Sequence, residues 1–110
     1  MSETPNASIP ALIWCPFPDA DRAAAAAKTL LDEGLIACAN RLGEMHSLFE
    51  WKGERDEATE IGVLLKTNSA VLERAVARLA ELHPYEEPAI LGWRCDATTP
   101  GTAAWLGALR

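Results

Sequence analysis

Apolar residues along the chain fall into runs, alternations and helical spacings, and the changes between them mark the elements. Ile9 to Phe17 is an apolar run closed by Pro16 and Pro18, which predicts a buried strand. Asp19 is placed to N-cap a helix in which Ala23, Ala27, Leu30 and Leu31 recur at helical spacing until Gly34. The alanine run reads as a close-packing helix face, not as a cofactor box. Leu35 to Leu42 is strand-like and breaks at Gly43. Met45 to Trp51 then alternates Met45, Ser47, Phe49 and Trp51 against His46, Leu48, Glu50 and Lys52. Lys52-Gly53-Glu54 reads as a turn, and Ala58 to Thr67 returns as a strand with Ile61, Val63 and Leu65 on one face. Ser69 to Leu82 carries a second helical stripe of Leu72, Ala75, Val76, Leu79 and Leu82. Ala89 to Cys95 is the last main strand. Pro100 and Gly101 introduce a short helix with Trp105, Leu106 and Leu109. Residues 1–8 read as a flexible polar leader, leaving 9–110 as one domain.

The order β-α-β-β-α-β plus a tail helix predicts an α+β, ferredoxin-like fold: an antiparallel sheet with two helices on one face. Its central hairpin is too long for that sheet. The arm from Leu35 to Trp51 is about three times a typical strand of five or six residues. An arm that overhangs a small domain exposes an edge that templates other chains unless it is covered. Closed self-association covers it, so the hairpin alone predicts an oligomer.

Composition narrows the function. A net charge of −6 with no Lys/Arg cluster argues against a phosphate-backbone binder. No stretch approaches the about 20 apolar residues of a bilayer span, and the first ten residues have no basic signal-peptide region. Three cysteines, Cys15, Cys38 and Cys95, show no C-x-x-C spacing and fit reduced thiols in a cytosol. Cys15 and Cys95 fall near the ends of two antiparallel strands and read as separate core residues.

Chemistry gathers at Leu82-His83-Pro84-Tyr85-Glu86-Glu87-Pro88, where an imidazole, a phenol and two carboxylates lie between two prolines. Pro84 ends the preceding helix and Pro88 opens the following strand. Both a rigid binding corner and a plain solvated connector account for this pattern. Glu60 and Lys66 share a strand face but stand roughly 20 Å apart, so each needs another partner. Cys38 is the leading candidate metal ligand: a thiolate suits Cu(I), and imidazole from His83 or His46 suits Cu(II) or Zn(II). A small cysteine buried on a core strand is the competing account of Cys38. No phosphate-binding glycine loop, G-x-S-x-G or H-E-x-x-H is present, so the chain does not read as an enzyme.

Four ordered motifs resemble the CutA family, the divalent-cation tolerance proteins. Leu35-Ile36-Ala37-Cys38-Ala39-Asn40 resembles the family's L-A-A-C-x-N strand, and Trp51 with Gly53 its W-x-G hairpin tip. Glu60 with Lys66-Thr67 resembles E-x-x-x-x-x-K-T, and His83-Pro84-Tyr85-Glu86 with Pro88 the H-P-Y-x-x-P corner. The likeness runs from Ile13 to Leu106. It implies a ferredoxin-like protomer, a homotrimer of hairpins pairing across subunits, and a cytoplasmic bacterial setting. Departures fall at Lys52-Gly53-Glu54, where an acid usually comes first and a Lys after the Gly, and at Ala89, where Glu is common. Arg94, Thr102 and Ala103 also differ.

Two functions follow from the resemblance. One is a trimeric tolerance protein that binds copper or another divalent cation through Cys38 and His83, with no required cofactor. The other is a module like the PII signalling proteins, holding a small anionic ligand in inter-subunit clefts. The expected cleft residues are Trp51, Glu60, Lys66, His83, Tyr85 and Glu86, with the proline-bounded corner facing Lys66 and Trp51. No nucleic-acid or membrane partner is expected.

Overall fold

A computed structural model describes residues 8–109. The leader expectation falls on residues 1–8, of which 1–7 lie outside the described residues. Strand β1 (Pro10–Phe17) alternates buried and half-buried positions, and helix α1 (Ala20–Asp32) follows directly. Asp19 caps α1 as its sequence position suggests, its Oδ1 accepting from the Arg22 N–H at 2.8 Å. The other end closes in a Schellman motif at Gly34 (φ 72°): Gly34 N–H donates to Leu31 and Leu35 N–H to Leu30.

The buried stripe of α1 differs from the expected one. It is Ala23, Ala26 and Leu30, whereas Ala27 is half-buried and Leu31 is 44% exposed. Within five consecutive alanines, composition does not distinguish the inward face.

The central hairpin joins β2 (Cys38–Trp51) to β3 (Glu54–Asn68) through Lys52 and Gly53, both at positive φ (53° and 82°). Paired positive φ values suit the twist of a two-residue hairpin turn. A bulge between Arg41 and Glu44, with Gly43 at φ 95°, inserts one extra residue into β2. Cys38 therefore pairs with Lys66 and Met45 with Glu60, all on one face of the hairpin. Leu35 and Ile36, expected in this strand, precede it and fill the core.

Helix α2 (Leu72–Leu82) begins three residues later than expected, because the Asn68 side chain holds the Ala70 and Val71 N–H groups in a turn. Strand β4 is only Leu91–Arg94, shorter than the predicted Ala89 to Cys95. It pairs with β1 from Ala11 to Trp14, and beyond that Pro16 and Pro88 supply no ladder donors. Helix α3 (Pro100–Gly107) closes the described chain.

The sheet order is β2-β3-β1-β4, antiparallel throughout, as a ferredoxin-like fold requires. Ile13, Cys15 and Phe17 of β1 pack with Ala23, Ala26 and Leu30 of α1 and with Ala75 and Leu79 of α2. Both helices thus cover one face. The opposite face carries Leu12, Trp14, Leu64, Leu91 and Trp93, and Leu91 is 62% exposed. Because β1 pairs with β3 only from Asn68 to Ile61, the rest of the hairpin projects as a two-stranded ribbon, and the molecule measures 55 × 27 × 23 Å.

Asn68 joins three elements. Fully buried at the end of β3, it donates from Nδ2 to the Leu106 carbonyl at 2.6 Å and accepts from Ala70 N–H at 2.8 Å. Asn68→Ala strands those buried groups and should cost about 2–4 kcal/mol in urea unfolding, with α3 the first element to lose amide protection.

Candidate functional site

The proline-bounded corner is anchored by its histidine. Pro84 holds His83 in extended backbone (φ −74°, ψ 139°), and the His83 N–H still closes α2 on Leu79. The ring is buried and stacks on Phe17 with centroids 4.4 Å apart. Its Nδ1 accepts from the Tyr85 N–H at 3.1 Å, so Nε2 carries the proton and donates to the Pro16 carbonyl at 2.7 Å. Both nitrogens are thus engaged within the chain.

That anchoring aims Tyr85 across to β3, where its hydroxyl donates to Glu60 Oε2 at 2.8 Å. Burial pushes the Tyr85 phenol up to about 12, helped by the bond to Glu60 and the carboxylate's charge. Burial likewise raises the nearby Cys15 thiol to about 12, with the Glu60 charge adding to it. Cys15 is an inert core thiol at neutral pH.

Tyr85 and Glu60 stand in an open groove of about 1030 Å³ between the projecting hairpin and the corner. The hairpin contributes Phe49, Trp51, Lys52 and Glu60; the corner contributes Tyr85, Glu86, Glu87 and Pro88, and Leu91 extends the wall. Four of the expected cleft residues, Trp51, Glu60, Tyr85 and Glu86, therefore share one concavity. His83 lies outside that lining. Lys66 also stands outside it, opposite Cys38 toward the far end of β3. Within one chain the corner faces Trp51 and not Lys66.

Phe49, Lys52 and Glu87 also line the groove but were not among the expected cleft residues, although Glu87 belongs to the proline-bounded corner. Phe49 had a usable signal, since strand alternation placed it on the Trp51 face. Lys52 had one too, because a left-handed turn residue next to Trp51 can return over the ring; its Nζ lies 5.8 Å from the centroid.

The candidate metal ligands are dispersed. Cys38 is half-buried and its thiol points to Asn40 Oδ1 at 3.6 Å. His46 contacts Glu57 at 2.7 Å on the exposed ribbon. Among the described residues, no three His, Cys, Asp or Glu side chains are arranged to hold a metal ion. Cys95 is half-buried, less enclosed than the core position expected for it.

A ferredoxin-like sheet with an overlong hairpin and a carboxylate-lined groove beside it defines the structural class. The profile of the CutA1 divalent ion tolerance protein family matches residues 11–108, and the chain belongs to that family. It is 40% identical over 95 residues to the divalent-cation tolerance protein CutA of Pyrococcus horikoshii, covering 86% of this chain and 92% of the relative. The crystal structure of divalent ion tolerance protein CutA1 from Ehrlichia chaffeensis superposes with a TM-score of 0.85 at 28% identity, covering 93% of this chain and 98% of that one. A third relative, from Archaeoglobus fulgidus, is described as a periplasmic divalent cation tolerance protein CutA. It matches with a TM-score of 0.83 at 26% identity, covering 89% of this chain and 95% of that one.

Tyr85 is the only tyrosine, so its titration is read directly by absorbance. Its folded pKa is raised, so its contribution to stability is complete below the ordinary value of 10.0 and fades as pH rises through about 12. A stopped-flow pH jump should find the phenolate forming with a midpoint near 12 before unfolding, and Glu60→Gln should move it back toward 10.

Proposed function

We propose that the protein is a homotrimeric divalent-cation tolerance protein that binds copper without catalysis, at sites completed only between subunits. The observation that carries this reading is the bare sheet face. Trp14, Leu64, Leu91 and Trp93 lie on the side that neither α1 nor α2 covers, and a contiguous apolar patch of this kind is the ordinary mark of an interface. Cys38 pairs with Lys66 and so belongs to the same face. Packing these faces together brings Cys38 thiols from different copies toward one interior, where soft sulfur ligands select copper over hard cations. The dispersal of ligands in a single chain supports a shared site. His83 joins such a site only by releasing the Pro16 carbonyl or the Tyr85 N–H. The cytoplasmic setting rests on the three unpaired cysteines.

The second reading, a PII-like cleft for an anionic ligand, has less support. Glu50, Glu60, Glu86 and Glu87 line the groove against Lys52, and Lys66 is outside it in its own chain.

Light scattering at low micromolar concentration should give the mass of three chains, and a stable monomer would sink the reading. Calorimetry on the assembled protein should show copper binding more tightly than Mg²⁺ or Ca²⁺. Cys38→Ser should lose most of that affinity. A His83→Ala variant that binds copper like the parent would remove His83 from the ligand set.

A further inference from the structure

The centre of the bare sheet face is built around a missing side chain. Gly62 is buried in β3 and pairs with Pro16, and its φ is not positive, so the backbone itself does not require glycine there. The space above it does. A Cβ at Gly62 would stand 2.6 Å from Trp14 Cη2 and 2.9 Å from Met45 Sδ, closer than real Cβ atoms approach. The Trp14 indole therefore reaches from β1 across β3 and rests on the Gly62 backbone, with the Met45 thioether of β2 against the same spot. The bulge in β2 keeps that spot clear. The register passes from Arg41 opposite Val63 to Glu44 opposite Ile61, leaving Gly62 without a direct partner on β2. We propose that Trp14, seated on Gly62, is the anchor on which a second copy of the chain docks. The proposal rests on the self-associating reading above and names the residues that carry it.

Trp14 is placed to act as such an anchor. It pairs with Leu64 on β3 and with Leu91 on β4, and Leu12 and Trp93 follow two residues along. The indole is half-buried, while Leu91 is 62% and Trp93 45% exposed, so apolar surface still open to water surrounds a large aromatic. A tryptophan inside a rim that excludes water is the usual energetic centre of an interface. Its seat also orders the ring before contact, so docking immobilises little that was free. The charges of the face point to a second copy as the occupant. Lys66 lies at one end of it and Glu60 at the other, and neither forms an ion pair among the described residues. A cation, an apolar centre and a carboxylate in line complement the same series on a rotated copy, where the cationic end of one meets the acidic end of the next.

Sedimentation of the full chain over a dilution series reads the concentration at which half of the assembly has dissociated. Gly62→Ala forces the indole off its seat and should raise that concentration about 10-fold, with circular dichroism unchanged. In the Trp14→Phe background, where the ring is too short to crowd a Cβ at Gly62, the same alanine should raise it less than about 2-fold. That coupling separates loss of the seat from a general loosening of the sheet, which would act equally in both backgrounds. Trp14→Ala removes the ring without crowding the strand. It should raise the midpoint about 30-fold, and it carries the test where Gly62→Ala does not fold. An assembled parent whose midpoint moves less than about 2-fold in Trp14→Ala overturns the anchor and leaves the trimer reading standing. So does a Gly62→Ala effect of equal size in the two backgrounds. A parent that stays monomeric at every concentration overturns both.

Discussion

A length mismatch inside one sheet governs this molecule. Strands β2 and β3 have 14 and 15 residues, whereas β1 has 8 and β4 has 4. Backbone pairing satisfies the ribbon's own ladder, but β1 ends at Phe17 opposite Ile61 and cannot line the rest of β3. From there outward the ribbon has neither a helix above nor a third strand beside it, so Leu48, Phe49 and Trp51 stay exposed. The groove exists because of the same mismatch: it is the space left where β1 stops and the hairpin continues. Prolines sharpen that stop. Pro16 and Pro18 flank the end of β1, and Pro84 and Pro88 bound the segment that turns past it.

His83 turns this space into a defined site. A polar ring buried at 7% exposure must find partners for both nitrogens, and it finds them on either side, one in β1 and one in its own turn. The ring therefore ties the corner to the strand end at the place where the groove begins. Tyr85, two residues on, inherits a fixed origin and reaches Glu60. The H-P-Y sequence acts here through geometry: the histidine positions, the proline rigidifies, and Tyr85, Glu86 and Glu87 face the groove.

Features with a local physical cause were legible in the sequence. Asp19 as a cap, Gly34 as a helix stop and Lys52-Gly53 as a turn each depend on one residue's conformational or hydrogen-bonding preference, and each stands where expected. The element order followed from periodicity, and the order sufficed for the ferredoxin-like topology. Features set by distant partners were harder to read. The inward face of α1 depends on how it sits over β1, which five identical alanines do not encode. The short β4 depends on prolines in two separate segments, Pro16 and Pro88. Lys66 stands beside Cys38, six strand residues from Glu60 along the same face as the sequence spacing implies, and it was expected to face the corner across a cleft between subunits, which a single chain does not contain.

Position along that shared face separates two groups of side chains on one sheet. Cys38 and Lys66 occupy the end of the hairpin that is flanked by β1, while Glu60, Phe49 and Trp51 occupy the projecting end. The bulge at Gly43 makes this division possible. Without its extra residue, the outer half of β2 would turn over, sending His46 and Leu48 to the groove side and Phe49 and Trp51 away from it. A single glycine at φ 95° thus decides which side chains of β2 meet the corner. A β-branched residue there would oppose that conformation through its backbone alone, since a Cβ at Gly43 would meet no atom within 4 Å. The penalty would therefore fall on the path of β2, and so on the groove, before it reached the core.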